Sequence, residues 1–270
     1  MLKDITLGQF FPGNSLLHRL DPRVKIVCVI AFIAALFISS SMWGYALCFL
    51  FLAWCIKISR ISPKMILKSL KPLVLVLVFT GVLNMLYTPG QVLVSFWIFH
   101  ITKEGIYNAV FMLFRIILLI ASTSMLTYTT SPIALTDGLE SLLSPLKKLH
   151  VPIHEFAMMM TIALRFIPTL IEETDKIISA QKARGADFDS GNLIQRAKAL
   201  VPILVPLFVS AFRRADELAT AMECRLYHGG DGRTRLNTLR VTSLDRYAAL
   251  FMAAFCALVI FSGRIMGMII

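Results

Sequence analysis

The sequence predicts an all-α integral membrane protein with about five transmembrane helices and long cytoplasmic helices. Hydrophobic residues make up 57% of the 270 residues, and the mean hydropathy is +0.75, whereas soluble domains are about 45–50% apolar. Several apolar runs reach the about 17–25 residues that a helix needs to cross a bilayer. The 27 lysines and arginines are concentrated on one side of the topology that these runs define.

Five apolar runs are interpreted as transmembrane helices, and the second is short enough that it must tilt or thin the bilayer. These runs cover residues 26–42, 43–58, 72–88, 105–128 and 247–263. A further apolar run at 91–99 follows a Pro-Gly break, and we interpret it as an outer-face loop or a re-entrant segment. The predicted domains are an N-terminal membrane part (1–128, four spans), a cytoplasmic region of long helices (129–243) and a C-terminal span (244–270).

The distribution of basic residues predicts the orientation in the membrane. A cytoplasmic N-terminus leaves only Lys103 and Arg264 outside, as the positive-inside rule requires. The opposite orientation would translocate the whole basic segment and is rejected. Since an odd number of spans places the two termini on opposite sides of the membrane, we predict a multi-pass protein of the cell membrane with an external C-terminus. No cleavable signal peptide is expected, because the first apolar run starts only after Lys25.

Amphipathic helices are predicted within the cytoplasmic region. A short helix begins at Ser131-Pro132, a favourable cap followed by proline at the first helical position, and Ser144-Pro145 interrupts it before Leu149. Two long helices follow, at 153–184 and at about 192–227, and both contain proline. Such long helices, apolar along one face, are expected to bury that face against the inner membrane surface and partner proteins.

The two long helices end alike, at Ala183-Arg184-Gly185 and at Cys224-Arg225-Leu226. In each helix, apolar residues at three- and four-residue spacing continue in phase to the arginine, so the arginine extends the apolar stripe. An arginine in a last turn can simply bond free carbonyls and offset the helix dipole. Because both arginines extend the apolar stripes of their helices in the same phase, we favour the hypothesis that both helix ends dock into two similar binding sites on a partner.

Several classes of chemistry have no support in the sequence. No glycine-rich loop ends in Gly-Lys-Ser/Thr, so an ATP phosphate site is not expected. No nucleophile–base pair stands out, and we expect no catalytic residue and no enzymatic activity in this chain. Pro152 separates His150 from His154, and no further ligand completes a metal site. The uneven charge also gives no support to nucleic-acid binding.

Arg115 is a charge deep inside a predicted span and is therefore an intramembrane candidate. Such a group costs at least about 2.5–3.5 kcal/mol at the bilayer centre, which makes a function the default hypothesis. The alternative is that it snorkels to the interface or bonds the carbonyls of a kinked helix. Both interpretations stay open on the sequence.

Distinctive sequence runs occur along nearly the whole chain. They are Gly8-Gln9-Phe10-Phe11-Pro12-Gly13, Leu17–Lys25, Ala163–Thr169, Gln181–Phe188 and Ala211–Glu217. In combination they closely resemble the transmembrane T component of energy-coupling factor (ECF) transporters.

The resemblance implies a prokaryotic uptake system for vitamins or transition-metal ions. In that system two cytoplasmic ABC-type ATPases drive the T component, which holds a separate substrate-binding S component in the lipid membrane. ATP would be bound by the ATPases, so no cofactor is expected in this chain. The family's two arginine motifs correspond to Ala183-Arg184-Gly185 and Cys224-Arg225-Leu226. The second departs from Ala-Arg-Gly, and its helix stop is expected to move to Gly229-Gly230.

Two other function classes remain as alternatives. A self-contained secondary transporter would show inverted repeats, discontinuous spans and paired intramembrane charges. A non-transport membrane scaffold would share the long helices but need no ATPase. The sequence does not name a substrate, because the resemblance places the substrate pocket in another chain.

Overall fold

The computed structural model describes residues 10–39, 41–96, 99–186, 188, 192–229 and 238–269. Their regular structure consists of α-helices and one β-hairpin. In chain order the elements are α1 (Leu16–Arg19), α2 (Pro22–Ile38), α3 (Met42–Ser59), α4 (Pro63–Leu70), α5 (Val74–Tyr87), β1 (Val92–Phe96), β2 (Phe99–Thr102), α6 (Lys103–Thr129), α7 (Pro132–Leu143), α8 (Ile153–Ala183), α9 (Leu193–Cys224) and α10 (Ser243–Ile269). Short 3-10 turns at Lys71–Leu73 and Ser144–Leu149 precede α5 and follow α7.

The chain divides into two compact units. One unit includes Leu139–Thr238, and we call it the helix-pair unit because α8 and α9 dominate it. The other combines Gly8–Gly138 with Leu239–Ile270, and we call it the bundle unit.

The bundle unit has an apolar core shared by α2, α3, α6 and α10. Phe32, Cys48, Leu118 and Val259, one from each helix, are almost fully buried. Between α3 and α10, Phe51 stacks on Phe255 with ring centroids 4.3 Å apart. Because lipid is as apolar as these side chains, close packing of this kind must hold the helices together in a membrane.

The prediction of an all-α membrane protein is confirmed, with a different set of helices long and apolar enough to cross a membrane. Among the described residues, six meet that requirement: Met42–Ser59, Pro63–Tyr87, Lys103–Thr129, Ile153–Ala183, Ile194–Cys224 and Ser243–Ser262. The two long helices assigned to the cytoplasm are therefore also long and apolar enough to span. Their position relative to a bilayer stays a prediction.

The predicted first span, 26–42, is wrong at its C-terminal end. Its helix α2 ends at Ile38 after 17 residues, and α3 already begins at Met42. Ser39 and Ser41 occupy the cap positions on either side of this break, and residue 40 lies outside the described residues. Serine has a low helix propensity and is common at helix ends.

The apolar run 91–99 contains a β-strand, which the sequence did not predict, and its position relative to the membrane stays a prediction. Its described part forms β1, which pairs antiparallel with β2 in the register Val94↔Ile101 and Phe96↔Phe99. Alternating β-branched and aromatic residues favour a strand over a helix in this run. Residues 97 and 98 lie outside the described part of the chain.

Candidate functional site

Helices α8 and α9 pack against each other and run in opposite directions. Glu173 in the middle of α8 contacts Ser210 and Arg214 of α9. Further along α8, the Gln181 amide donates to the carbonyl oxygen of Pro202 at 3.3 Å. A later residue of α8 thus meets an earlier residue of α9, so the helices are antiparallel and their C-terminal ends point in opposite directions.

The C-terminal end of α8 is a Schellman motif built on Arg184. Arg184 caps the helix with φ −85° and ψ 4°, and Gly185 follows in the left-handed region at φ 88°. The Gly185 N–H donates to the Lys182 carbonyl and the Ala186 N–H to the Gln181 carbonyl, both at 3.0 Å. These two bonds satisfy carbonyls that a helix end leaves free. The predicted stop at Gly185 is confirmed.

The C-terminal end of α9 has the same geometry, with the residue after Cys224 at the cap position. Arg225 is the cap with φ −93° and ψ 13°, and Leu226 takes the left-handed position at φ 55°. The Leu226 N–H donates to the Glu223 carbonyl at 2.8 Å and the Tyr227 N–H to the Met222 carbonyl at 3.0 Å. The two arginines therefore occupy the same place in the same motif.

The expectation that the second helix runs to Tyr227 and stops at Gly229-Gly230 is wrong. The helix ends at Cys224, because the backbone adopts the Schellman geometry at Leu226 without glycine. Gly229 also has a positive φ, 97°, but it lies beyond the helix end. Gly230 lies outside the described residues, as do Gly8, Gln9 and Asp187 of the distinctive sequence runs.

All six residues of the two arginine motifs are exposed, and Leu226 retains 74% of its accessible surface. The guanidinium groups of Arg184 and Arg225 therefore stand at opposite ends of the helix pair and are accessible to a partner. Antiparallel packing separates them, so the structure does not bring the two motifs together into one site. An arginine presents a planar fork of donors, which suits bidentate binding of a carboxylate.

The apolar stripes that lead to the arginines are only partly covered within the helix-pair unit. Phe156 on α8 and Phe208 on α9 each remain 59% exposed. Ile167 and Leu218 are half-buried. The unit thus presents apolar surface that is available for lipid or for another protein.

Arg115 lies in α6 of the bundle unit and contacts aromatic side chains. Its Nε donates to the Tyr45 hydroxyl at 2.7 Å, and its guanidinium carbon lies 5.4 Å from the centre of the Phe37 ring. The same carbon is 5.8 Å from the centre of the Tyr45 ring. The charge is thus held by a hydroxyl and two aromatic faces contributed by α2 and α3. No local pattern in the sequence indicates these partners.

Lys25 organises the part of the bundle unit that contains the Leu17–Lys25 sequence run. Its Nζ donates to the Thr129 carbonyl at 2.9 Å, the His18 carbonyl at 3.2 Å and the Thr130 hydroxyl at 3.3 Å. The side chain is 6% exposed. A buried ammonium is stable only when its donors are satisfied, and here three donors have three acceptors.

Asp245 makes a second polar connection that the sequence analysis missed. Its carboxylate is almost fully buried and accepts hydrogen bonds from the Asp21 N–H, the Thr242 N–H and the Thr242 hydroxyl, each at 2.7 Å. It therefore joins the start of α10 to the start of α2. The sequence feature that could have indicated this role is the position of Asp245 as a single carboxylate at the start of an apolar run.

His18 lies in surroundings that lower its pKa. Burial lowers the pKa of His18 and the nearby Lys25 ammonium lowers it further, although a bond to the Phe11 carbonyl opposes this change. Nε2 donates to that carbonyl at 3.0 Å, and Nδ1 forms a hydrogen bond with the Ser15 hydroxyl at 2.6 Å. The ring fixes the N-terminal segment against α1.

Groups that ligate metals are dispersed in the described part of the chain. No three histidine, cysteine or acidic residues there form a group that could hold a metal ion. His154 instead contacts Glu140 at 3.0 Å within the helix-pair unit. The five cysteines are free thiols.

Comparison with known proteins identifies the family. The family profile described as cobalt transport protein matches residues 13–236. The energy-coupling factor transporter transmembrane protein EcfT of Ruminiclostridium cellulolyticum is 57% identical over 245 residues, covering 91% of this chain and 92% of that protein. The EcfT proteins of Clostridium kluyveri and Bacillus subtilis are 55% and 45% identical, with coverage of 96% and 97% of this chain and 95% and 99% of theirs. The chain therefore belongs to the family of transmembrane components of energy-coupling factor transporters.

Proposed function

We propose that this chain is the coupling subunit of an ECF-type importer. It transmits the ATP-driven motion of two ABC-type ATPases to a substrate-binding S component, for uptake of vitamins or metal ions. One observation carries the proposal: two long helices end in the same arginine-capped Schellman motif, and the two ends point in opposite directions. Two equivalent ends suit two ATPase subunits.

Each arginine attaches the C-terminal end of its helix to one ATPase, so that the helix moves with that ATPase. Arg184 and Arg225 each enter a groove on one ATPase, where a carboxylate accepts two hydrogen bonds from the guanidinium fork. Closure of the ATPases on ATP then moves the anchored helices. ATP is bound and hydrolysed in the partners, so this chain has no catalytic residue and no cofactor of its own.

The partly exposed apolar stripes support a second contact. Phe156 and Phe208 keep more than half of their surface exposed, and an apolar helix face laid in a groove is a common mode of recognition. The S component packs on this platform and reorients when the two helices move. In this scheme residues 129–243 are the cytoplasmic coupling region, and residues 1–128 and 244–270 anchor it in lipid with the N-terminus inside and the C-terminus outside.

Co-purification of the tagged chain from its native membrane tests the proposal against its alternatives. The coupling function predicts two ATPases and a small membrane protein in the same complex. A chain purified without partners would support a secondary transporter, and unrelated partners would support a scaffold. Either result would overturn the proposal.

A further inference from the structure

A polar cluster joins α8 to α9 midway between the two arginine ends. One carboxylate oxygen of Glu173 accepts a hydrogen bond from the Ser210 hydroxyl, and the other accepts one from Arg214 Nη2 at 2.5 Å. Ser210 is 5% exposed, whereas the side chains of Glu173 and Arg214 keep 22% and 33% of their surface, so the contact is partly buried between the two helices. We call these three residues the clamp.

The clamp is equidistant from the two ends. Arg184 follows Glu173 by eleven residues, and Arg225 follows Arg214 by eleven residues. At 1.5 Å per residue, each helical arm is about 16 Å long. Since the helices are antiparallel, the arms extend in opposite directions from the clamp, and the arginines are separated by roughly 33 Å along the pair.

Both helices contain a proline close to the clamp. Pro168 precedes Glu173 by five residues, and Pro206 precedes Ser210 by four. Each proline removes one backbone hydrogen bond of its helix and favours a bend there. A cross-helix contact at this point therefore constrains two helices at the places where they bend most easily.

We propose that Glu173, Ser210 and Arg214 form the pivot of the helix pair and are positioning residues for coupling. The pivot fixes the separation and direction of the two arms, so that force applied at one arginine end reaches the other end and the rest of the pair. Without the clamp, each ATPase moves its own arm and the motion is lost in bending at the prolines. This inference rests on the proposed coupling function.

The chain offers close controls for testing the pivot. Glu173→Gln keeps the size of the side chain and removes its charge, whereas Arg214→Gln removes the guanidinium charge and shortens the side chain. Glu172→Gln and Arg213→Gln change exposed neighbours in the same helices and serve as matched controls. The exchange Glu173→Arg with Arg214→Glu restores an ion pair in the opposite sense.

The first readout is the distance between the two ends in the complete transporter. Spin labels are placed on Ser179→Cys and Thr220→Cys, exposed positions on the two arms that lie outside the arginine motifs, and the chain without these two changes gives the background from the native cysteines. The pivot predicts one narrow distance distribution in the parent and in the controls. Glu173→Gln and Arg214→Gln should broaden it, and the charge exchange should narrow it again.

The second readout is the number of ATP molecules hydrolysed per substrate molecule transported. We expect Glu173→Gln and Arg214→Gln to raise this ratio at least threefold while both ATPases stay bound. An unchanged distance distribution and an unchanged ratio would overturn the pivot, as would equal effects in the matched controls. If instead the ATPases bind and couple normally when Arg184 and Arg225 are both replaced, the coupling function itself fails, whatever the clamp variants do.

Discussion

Replacing Asp245 with alanine removes the carboxylate that joins the start of α10 to the start of α2. Two of its three hydrogen bonds come from Thr242, which is exposed, so that water can replace the lost acceptor there. The third comes from the N–H of Asp21, a residue that is only 6% exposed and whose N–H would lose its charged acceptor. A buried bond to a charged group contributes about 1.5–3 kcal/mol, and loss of the cap at the start of α10 adds about 0.5–1 kcal/mol. The expected loss in the free energy of unfolding is therefore about 3 kcal/mol.

Thermal unfolding of the purified chain in detergent measures this effect. A loss of about 3 kcal/mol corresponds to a decrease of roughly 6–12 °C in the unfolding midpoint. Asp245→Asn keeps the shape and one acceptor, so we expect a smaller decrease. Asp216→Ala removes an exposed carboxylate and should change stability by no more than about 0.5 kcal/mol. An Asp245→Ala chain that unfolds within about 1 °C of the parent would refute the assignment of this bond as a structural connection.

Three further predictions concern Arg115, the left-handed helix ends and nucleotide chemistry. Arg115→Leu should lower the unfolding midpoint and leave ATPase co-purification intact, because its contacts lie with Tyr45 and other aromatic residues; selective loss of the ATPases would contradict this. Gly185→Ala should destabilise the C-terminal end of α8 by about 1–2 kcal/mol, since φ 88° disfavours a side chain. Leu226→Gly should not destabilise the C-terminal end of α9. Amide hydrogen exchange at both helix ends measures these effects, and equal protection of α8 in Gly185→Ala and in the parent would contradict the prediction. The purified chain alone should neither hydrolyse ATP nor bind a vitamin tightly, and turnover by a contaminant-free preparation would refute this.

The sequence was sufficient for features that depend on local patterns. Apolar runs predicted the membrane class, and Gly185 predicted the end of α8, because a left-handed residue after a helix is usually glycine. The same rule failed at Leu226, where leucine takes a conformation that it rarely adopts. The matching phase of the two arginines was the better guide to the second end.

Features that depend on distant residues were not predicted. Asp245 bonds the backbone of Asp21, which lies 224 residues away, and no local pattern links the two. The clamp likewise needs the antiparallel packing of α8 and α9, which decides that Glu173 meets Arg214. Arg115 is recognisable in the sequence as a charge in a predicted span, but its aromatic partner Tyr45 lies on another helix.

Substrate uptake by the complete transporter carrying Arg184→Ala and Arg225→Ala together tests the coupling function most directly. Removing one partner of a buried, hydrogen-bonded charge pair costs about 3–5 kcal/mol, whereas an exposed pair contributes roughly 0–1 kcal/mol. Each single change should therefore impair uptake, and the double change should release the ATPases or uncouple hydrolysis from transport.

Two further kinds of variant, a conservative replacement and a matched control, make that measurement more specific. Lysine at either position should restore little uptake, because it offers a point charge in place of a planar fork. Lys182→Ala removes an exposed charge beside the first end and should transport like the parent. We predict that uptake by the double alanine variant falls to the level of a chain-free control. Uptake equal to that of the parent would show that Arg184 and Arg225 are ordinary helix-end residues, and it would contradict the coupling function.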